Sequence, residues 1–222
     1  MRISHCGRFV YVSIPKTGSE SVRALLDPVS EEPVVRFPEI TPERPFYSHM
    51  RPLELAAVLG ARGIGLGEGT GGYLCVATVR NPWERLASLW RMMRRDRAFG
   101  PCPPFDDWVA MLADGQAGAL GRPEQKWYHH GILPQAVFLA DAQGRLMTDH
   151  VWRIEDGMEP LRATLAARLP PGALPGPVPH VNRAPGAADW QRLYTPRTHD
   201  TVARLYAADL AAFGYGAGVA AG

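Results

Sequence analysis

Phe9-Val10-Tyr11-Val12-Ser13-Ile14-Pro15-Lys16-Thr17-Gly18-Ser19-Glu20-Ser21 lies near the start of a 222-residue chain. Its first six residues form a short apolar, β-branched and aromatic run, the signature of a buried strand. Pro15 breaks the run. Residues 21–26 (SVRALL) then open a helix. The order is strand, glycine-containing loop, helix. Such a loop turns backbone N–H groups and the positive end of a helix toward an anion. Gly18 lets the backbone approach closely. Lys16 and the hydroxyls of Thr17, Ser19 and Ser21 add donors. The NTPase loop has a different order, Gly-x-x-x-x-Gly-Lys-Ser/Thr. Here lysine precedes glycine, and the first glycine is missing. The loop suits phosphate without matching the NTPase pattern.

A second unit has the same design. Residues 73–79 (YLCVATV) read as a buried strand, and 80–95 as a long helix. Asn81 can cap that helix, Pro82 suits its first turn, and Glu84 stands where a capping box needs it. Two strand–loop–helix units joined by a crossover imply a parallel sheet covered by helices. Ligands bind beyond the carboxyl ends of such strands. Lys16 and Arg80 each follow such an end, so both are expected to face one crevice. Ser88 lies two turns beyond Asn81, about 10 Å along the helix, and the pair Arg80 and Ser88 suits a second phosphate. The plainer alternative pairs Arg80 with Glu84 and Ser88 with its own helix.

Elsewhere the pattern predicts helices over 52–61, 105–112 and 159–169, and one long helix from the cap Thr195 to 213. A strand is predicted over 151–154, and a turn over 141–144 flanked by 136–139 and 146–147. Six glycines in residues 63–72 and five prolines in 170–179 read as irregular connections. Residues 216–222 read as a flexible tail. Together these define an α/β fold: three layers, a central and mainly parallel sheet flanked by helices, one domain over residues 1–222.

Composition narrows the function. With 46% hydrophobic and 21% charged residues, the chain can bury a substantial core. A net charge of +2 gives no basis for expecting a nucleic-acid partner. There are 22 arginines and only two lysines, Lys16 and Lys126, so a lysine in the first loop stands out. Cys6, Cys75 and Cys102 have no metal-like spacing and read as reduced thiols. No apolar run is long enough to span a membrane. A cytoplasmic location is the expectation.

Taken together, the two loops resemble those of the sulfotransferases that use 3′-phosphoadenosine 5′-phosphosulfate (PAPS), in the branch that includes carbohydrate and heparan sulfate enzymes. Pro15-Lys16-Thr17-Gly18-Ser19-x-Ser21 resembles that family's 5′-phosphosulfate loop. Arg80-Asn81-Pro82-Trp83-Glu84-Arg85-Leu86-x-Ser88 resembles its 3′-phosphate motif. Weaker likenesses follow in family order: 48–55 with its His49, Arg153-Ile154-Glu155, 180–183, and 194–215. Glu20 departs from the family, which has Thr or Ser there; beside a phosphate loop its carboxylate must turn away or pair with an arginine.

The resemblance implies a P-loop-like sulfotransferase fold and transfer of a sulfuryl group from PAPS to an acceptor hydroxyl, expected to belong to a carbohydrate or glycolipid. It implies that Lys16 assists the leaving 5′-phosphate. Pro15, Thr17, Gly18, Ser19 and Ser21 hold that phosphate, Arg80 and Ser88 hold the 3′-phosphate, and Asn182 and Arg183 contribute from the C-terminal loop. No metal is required by this expectation, because the transferred sulfonate is monoanionic. His49 is the expected general base, with His129 and His130 in reserve, since histidine has a pKa suited to that work. Two alternatives stay open: a P-loop kinase-like phosphotransferase and a nucleotide-binding module without catalysis.

Overall fold

The computed structural model describes residues 1–179, 181 and 187–216. Among these, four strands form one sheet in the order β1 (Arg2–Ser4), β2 (Phe9–Val12), β3 (Leu74–Val79) and β4 (His150–Arg153). β2, β3 and β4 run parallel, and β1 pairs antiparallel with β2 at the edge. Every residue of β2 and β3 is buried, as expected for parallel strands covered on both faces.

Alternation along the strands divides the core. Phe9, Tyr11, Leu74 and Val76 pack with Val22, Leu25 and Leu26 of α1 (Ser19–Leu26) and with Leu161 and Leu165 of α7 (Glu159–Ala166). Val10, Val12, Cys75, Ala77 and Val79 pack with Leu55 and Leu59 of α2 (Pro52–Gly60) and with Phe138 and Leu139 of α6 (Gln135–Leu139). Helices thus cover both faces of a mainly parallel sheet. A third apolar cluster joins α3 (Pro82–Arg95), α4 (Phe105–Ala113), α5 (Lys126–His129) and α8 (Pro196–Leu205) around Trp83, Trp108 and Tyr128. Fully burying such large side chains contributes about 1.5–3 kcal/mol each.

The structure corrects several expectations. β1 was not anticipated: it is a three-residue edge strand whose one deep apolar anchor is Ile3. β2 stops at Val12, two residues early, because the next two carbonyls leave the ladder. Ser13 O accepts from His49 and Ile14 O accepts from Thr17. The single helix expected to reach residue 213 breaks at Tyr206 (φ −108°, ψ 24°) into α8 and α9 (Ala207–Phe213). Beyond the break, the buried Asp209 carboxylate accepts from Ala136 N (2.8 Å) and Gln135 Nε2 (3.0 Å), and these bonds aim α9 at the start of α6. The 141–144 turn forms, but residues 136–139 are helical. Residues 217–222 of the expected tail lie outside the described residues. Among the described residues, no helix is long and apolar enough to cross a membrane.

Candidate functional site

The loop after β2 is built from beneath. Thr17 is fully buried; its hydroxyl donates to Ile14 O (3.0 Å) and meets Thr78 Oγ1 at 3.2 Å. Thr78 returns a bond to Thr17 O (2.9 Å) and contacts Tyr11 OH at 2.8 Å. Thr17 therefore spends its hydroxyl on the loop itself and has only its backbone N–H to offer a ligand. Lys16 (φ 67°) and Gly18 (φ 70°) both adopt left-handed backbone. For glycine this is free; for lysine it is strained. A Cβ at Gly18 would meet the flexible Met158 methyl at 3.3 Å and Ile154 Cγ2 at 3.5 Å, so it is the backbone conformation rather than crowding that favours glycine here.

Gly18 is the N-cap of α1, and among the described residues no side chain caps that helix. Among the described residues, the Lys16 ammonium has one polar contact, the Met92 thioether at 3.5 Å, a weak acceptor. Burial lowers the Lys16 pKa; Glu20 opposes this, while Arg95 and Arg80 add to it. Ser19 is buried, and Ser21 exchanges hydrogen bonds with the backbone of Val181. Val181 therefore lies against the start of α1. Glu20 is exposed and lies 3.9 Å from Arg23, so its carboxylate leans to an arginine as required.

At the second junction, Asn81 caps α3 by accepting from Trp83 N (3.0 Å) and Glu84 N (3.4 Å). The expected capping box does not form. Glu155 takes the Asn81 N–H (2.6 Å), and Glu84 pairs with the Arg80 guanidinium instead. Arg80 Nη1 donates to Lys16 O at 3.4 Å, which ties the two junctions together. Arg80 Nε is buried without a partner. Ser88 makes no bond to its own helix among the described contacts and sits between Glu84 and Met92 on one helical stripe. Since Glu84 holds Arg80 and Met92 touches Lys16, that stripe faces the loop.

His49 does not cap α2; Glu54 does, accepting from Arg51 N at 3.0 Å. The half-buried His49 also has left-handed backbone (φ 68°). Its Nδ1 lies 2.8 Å from Ser13 O. A carbonyl only accepts, so Nδ1 carries the proton and Nε2 presents its lone pair. Desolvation pushes the His49 pKa down to about 3, with the Met1 ammonium, Arg23 and His130 in the same direction and the Ser13 bond opposing. At neutral pH the ring is uncharged. His130, the reserve candidate, is committed elsewhere: its Nδ1 donates to His49 O at 2.7 Å. Among described residues only Arg8, Lys16 and His49 are non-glycine residues with positive φ, and strain of this kind concentrates at functional sites.

Sequence reasoning missed Arg85 as a separate contributor. It is fully buried, and its guanidinium donates to Pro15 O (3.1 Å), Leu133 O (3.0 Å) and His130 O (3.3 Å). The signal was its place in the Arg80–Ser88 stretch. Gln135 was also missed: its amide clasps both Arg80 N and Arg80 O. Glu155 receives Tyr215 OH (3.1 Å) as well as Asn81 N, so the C-terminal segment supports the same junction. Asn182 and Arg183 lie outside the described residues, as does His180. Two hollows of about 460 and 440 Å³ lie away from Lys16, His49, Arg80 and Ser88. The first is a wide cleft between α4 and α8; the second runs along β4.

No protein-family model, no curated protein and no solved structure matches this chain.

Proposed function

We propose that the chain is a PAPS-dependent sulfotransferase with a P-loop-like sulfotransferase fold, acting on a carbohydrate or glycolipid hydroxyl. One observation carries the reading. Arg80 reaches from the end of β3 to the carbonyl of Lys16, beyond the end of β2, and keeps a buried Nε without a partner, while α1 has no side-chain cap among the described residues. An uncapped helix start after one strand and an arginine at the end of the adjacent parallel strand suit a ligand with two phosphates.

The donor substrate supplies an activated sulfuryl group on its 5′-phosphate. The backbone of 16–19 and the Lys16 ammonium bind that phosphate end, and Lys16 stabilises the charge that grows as it leaves. Arg80 and Ser88 bind the 3′-phosphate, with Arg80 released from Glu84. His49 Nε2 accepts the proton of the acceptor hydroxyl as its oxygen bonds to sulfur and the bond from sulfur to the 5′-phosphate oxygen breaks. Burial keeps the ring neutral and the Nδ1–H bond to Ser13 O steadies the tautomer. A pKa of about 3 makes Nε2 a weaker base than the sequence led one to expect, so its part in transfer is chiefly to orient the acceptor hydroxyl and take its proton late.

Calorimetric titration with 3′-phosphoadenosine 5′-phosphate, against AMP, tests the reading. The bisphosphate binds and AMP binds weakly. Arg80→Ala removes about 1.5–3 kcal/mol of the difference, the range for hydrogen bonds to charged groups. Equal binding of the two ligands sinks the proposal, and ATP with magnesium then tests the kinase reading. Bisphosphate binding without any transfer from PAPS to a panel of glycans favours the non-catalytic module.

A further inference from the structure

The two strained residues of the site are each locked through a neighbouring carbonyl. The carbonyl that precedes Lys16, Pro15 O, accepts from Arg85 Nε at 3.1 Å. The carbonyl of His49 accepts from His130 Nδ1 at 2.7 Å. Both locks meet in one guanidinium, since Arg85 also donates to His130 O (3.3 Å) and to Leu133 O (3.0 Å). Arg85 and His130 are buried, and neither contacts a carboxylate among the described contacts. A buried guanidinium that satisfies three carbonyls and no anion is an uncommon choice for stability alone. His130 is wedged between Tyr47 and Phe138, with ring centroids 6.5 and 5.3 Å away, so its ring has little freedom to turn.

We propose that Arg85 and His130 are positioning residues, a buried brace that sets Lys16 and His49 in register across the crevice. The brace runs from Pro15 O through Arg85 to the backbone of His130, and from the His130 imidazole to the carbonyl of His49. It holds both left-handed residues in conformations that neither favours alone. Its consequence for transfer rests on the sulfotransferase reading; its consequence for His49 does not.

His130→Phe keeps the packing and removes the donor. His130→Asn returns an amide N–H near the place of Nδ1. Nitrogen NMR of histidine-labelled protein reads the His49 tautomer and titration without any ligand. In His130→Phe, His49 is expected to lose its single Nδ1–H form and to titrate at a higher pH than in the wild type; His130→Asn restores both. With PAPS and an acceptor, His130→Phe is expected to lower kcat by about tenfold to a hundredfold, as small misplacements do. The dissociation constant for 3′-phosphoadenosine 5′-phosphate stays unchanged, and His130→Asn recovers turnover. A His49 signal in His130→Phe identical to that of the wild type overturns the brace, whatever happens to turnover. A wild type that neither binds the bisphosphate nor transfers from PAPS overturns the proposed function, and the NMR measurement still decides the brace.

Discussion

The two strand-to-helix junctions look alike in sequence and differ in how they are satisfied. After β3, Asn81 caps α3, Glu155 holds the Asn81 N–H, and Glu84 neutralises Arg80. Nearly every donor there has a partner in the chain. After β2, Gly18 and Lys16 are left-handed, and among the described residues α1 has no side-chain cap and the lysine ammonium meets a thioether alone. A helix end leaves its first N–H groups without intrahelical partners, and a fold satisfies them itself or leaves them to a ligand. The comparison teaches that, among the described residues, the first junction leaves its helix start uncapped while carboxylates close the second.

The largest expected effect joins the two. Arg85 leaves α3 and grips the first loop at Pro15, so Arg85→Met orphans three carbonyls, two of them buried and that of Leu133 half-buried. At about 1–3 kcal/mol for each unsatisfied group, denaturant unfolding should show a loss of about 3 kcal/mol or more. An unchanged midpoint breaks the idea that α3 holds the loop.

Lys16→Met separates rate from binding at the open junction. Removing a group that meets developing charge costs about a hundredfold to a thousandfold in kcat. Single-turnover kinetics should show that loss, while thermal unfolding stays near wild type because the Lys16 ammonium has no charged or strong hydrogen-bond partner to lose among the described contacts.

Acid weakens the fold through His49. Its folded pKa of about 3 lies below the ordinary value near 6.5, so the unfolded chain takes the proton first. The stability from this group is present above about pH 6.5 and is lost as pH falls toward about 3. His49→Gln should flatten that part of a stability–pH curve measured by denaturant; a curve as steep as the wild type assigns the acid loss to other groups.

The smallest effect sharpens the contrast most. Glu84→Gln frees Arg80 without touching the open loop. Helix pairs four residues apart contribute about 0.3–0.5 kcal/mol, so bisphosphate affinity should rise about twofold. Weaker binding would mean that Glu84 orients Arg80 for the ligand rather than competing with it.

Much of the fold was legible because β2 and β3 are buried on both faces, and burial of that kind writes a continuous apolar run into the sequence. Asn81 and Pro82 announced α3 because capping is local chemistry. Three-residue β1 left no such run. The break at Tyr206 was invisible because Asp209 makes it by bonding to residues more than seventy positions away. The candidate site divides in the same way. Lys16, Gly18, Arg80 and Ser88 were picked out from loop chemistry, motif order and spacing, and the Glu84 partner of Arg80 was the plainer of the two readings the spacing offered. The inward turn of the Thr17 hydroxyl and the commitment of His130 to a backbone carbonyl were not legible.

The sequence by itself determined the strand–loop–helix units, the parallel order they impose and the glycine-containing loop after β2, because each depends on neighbours along the chain. Tertiary structure alone decided which donors stay open. That choice depends on partners brought from afar: Ser13 for His49, His130 and Pro15 for Arg85, Glu155 for Asn81. A polar side chain in sequence carries its capacity to bond, and only folding decides where that capacity is used.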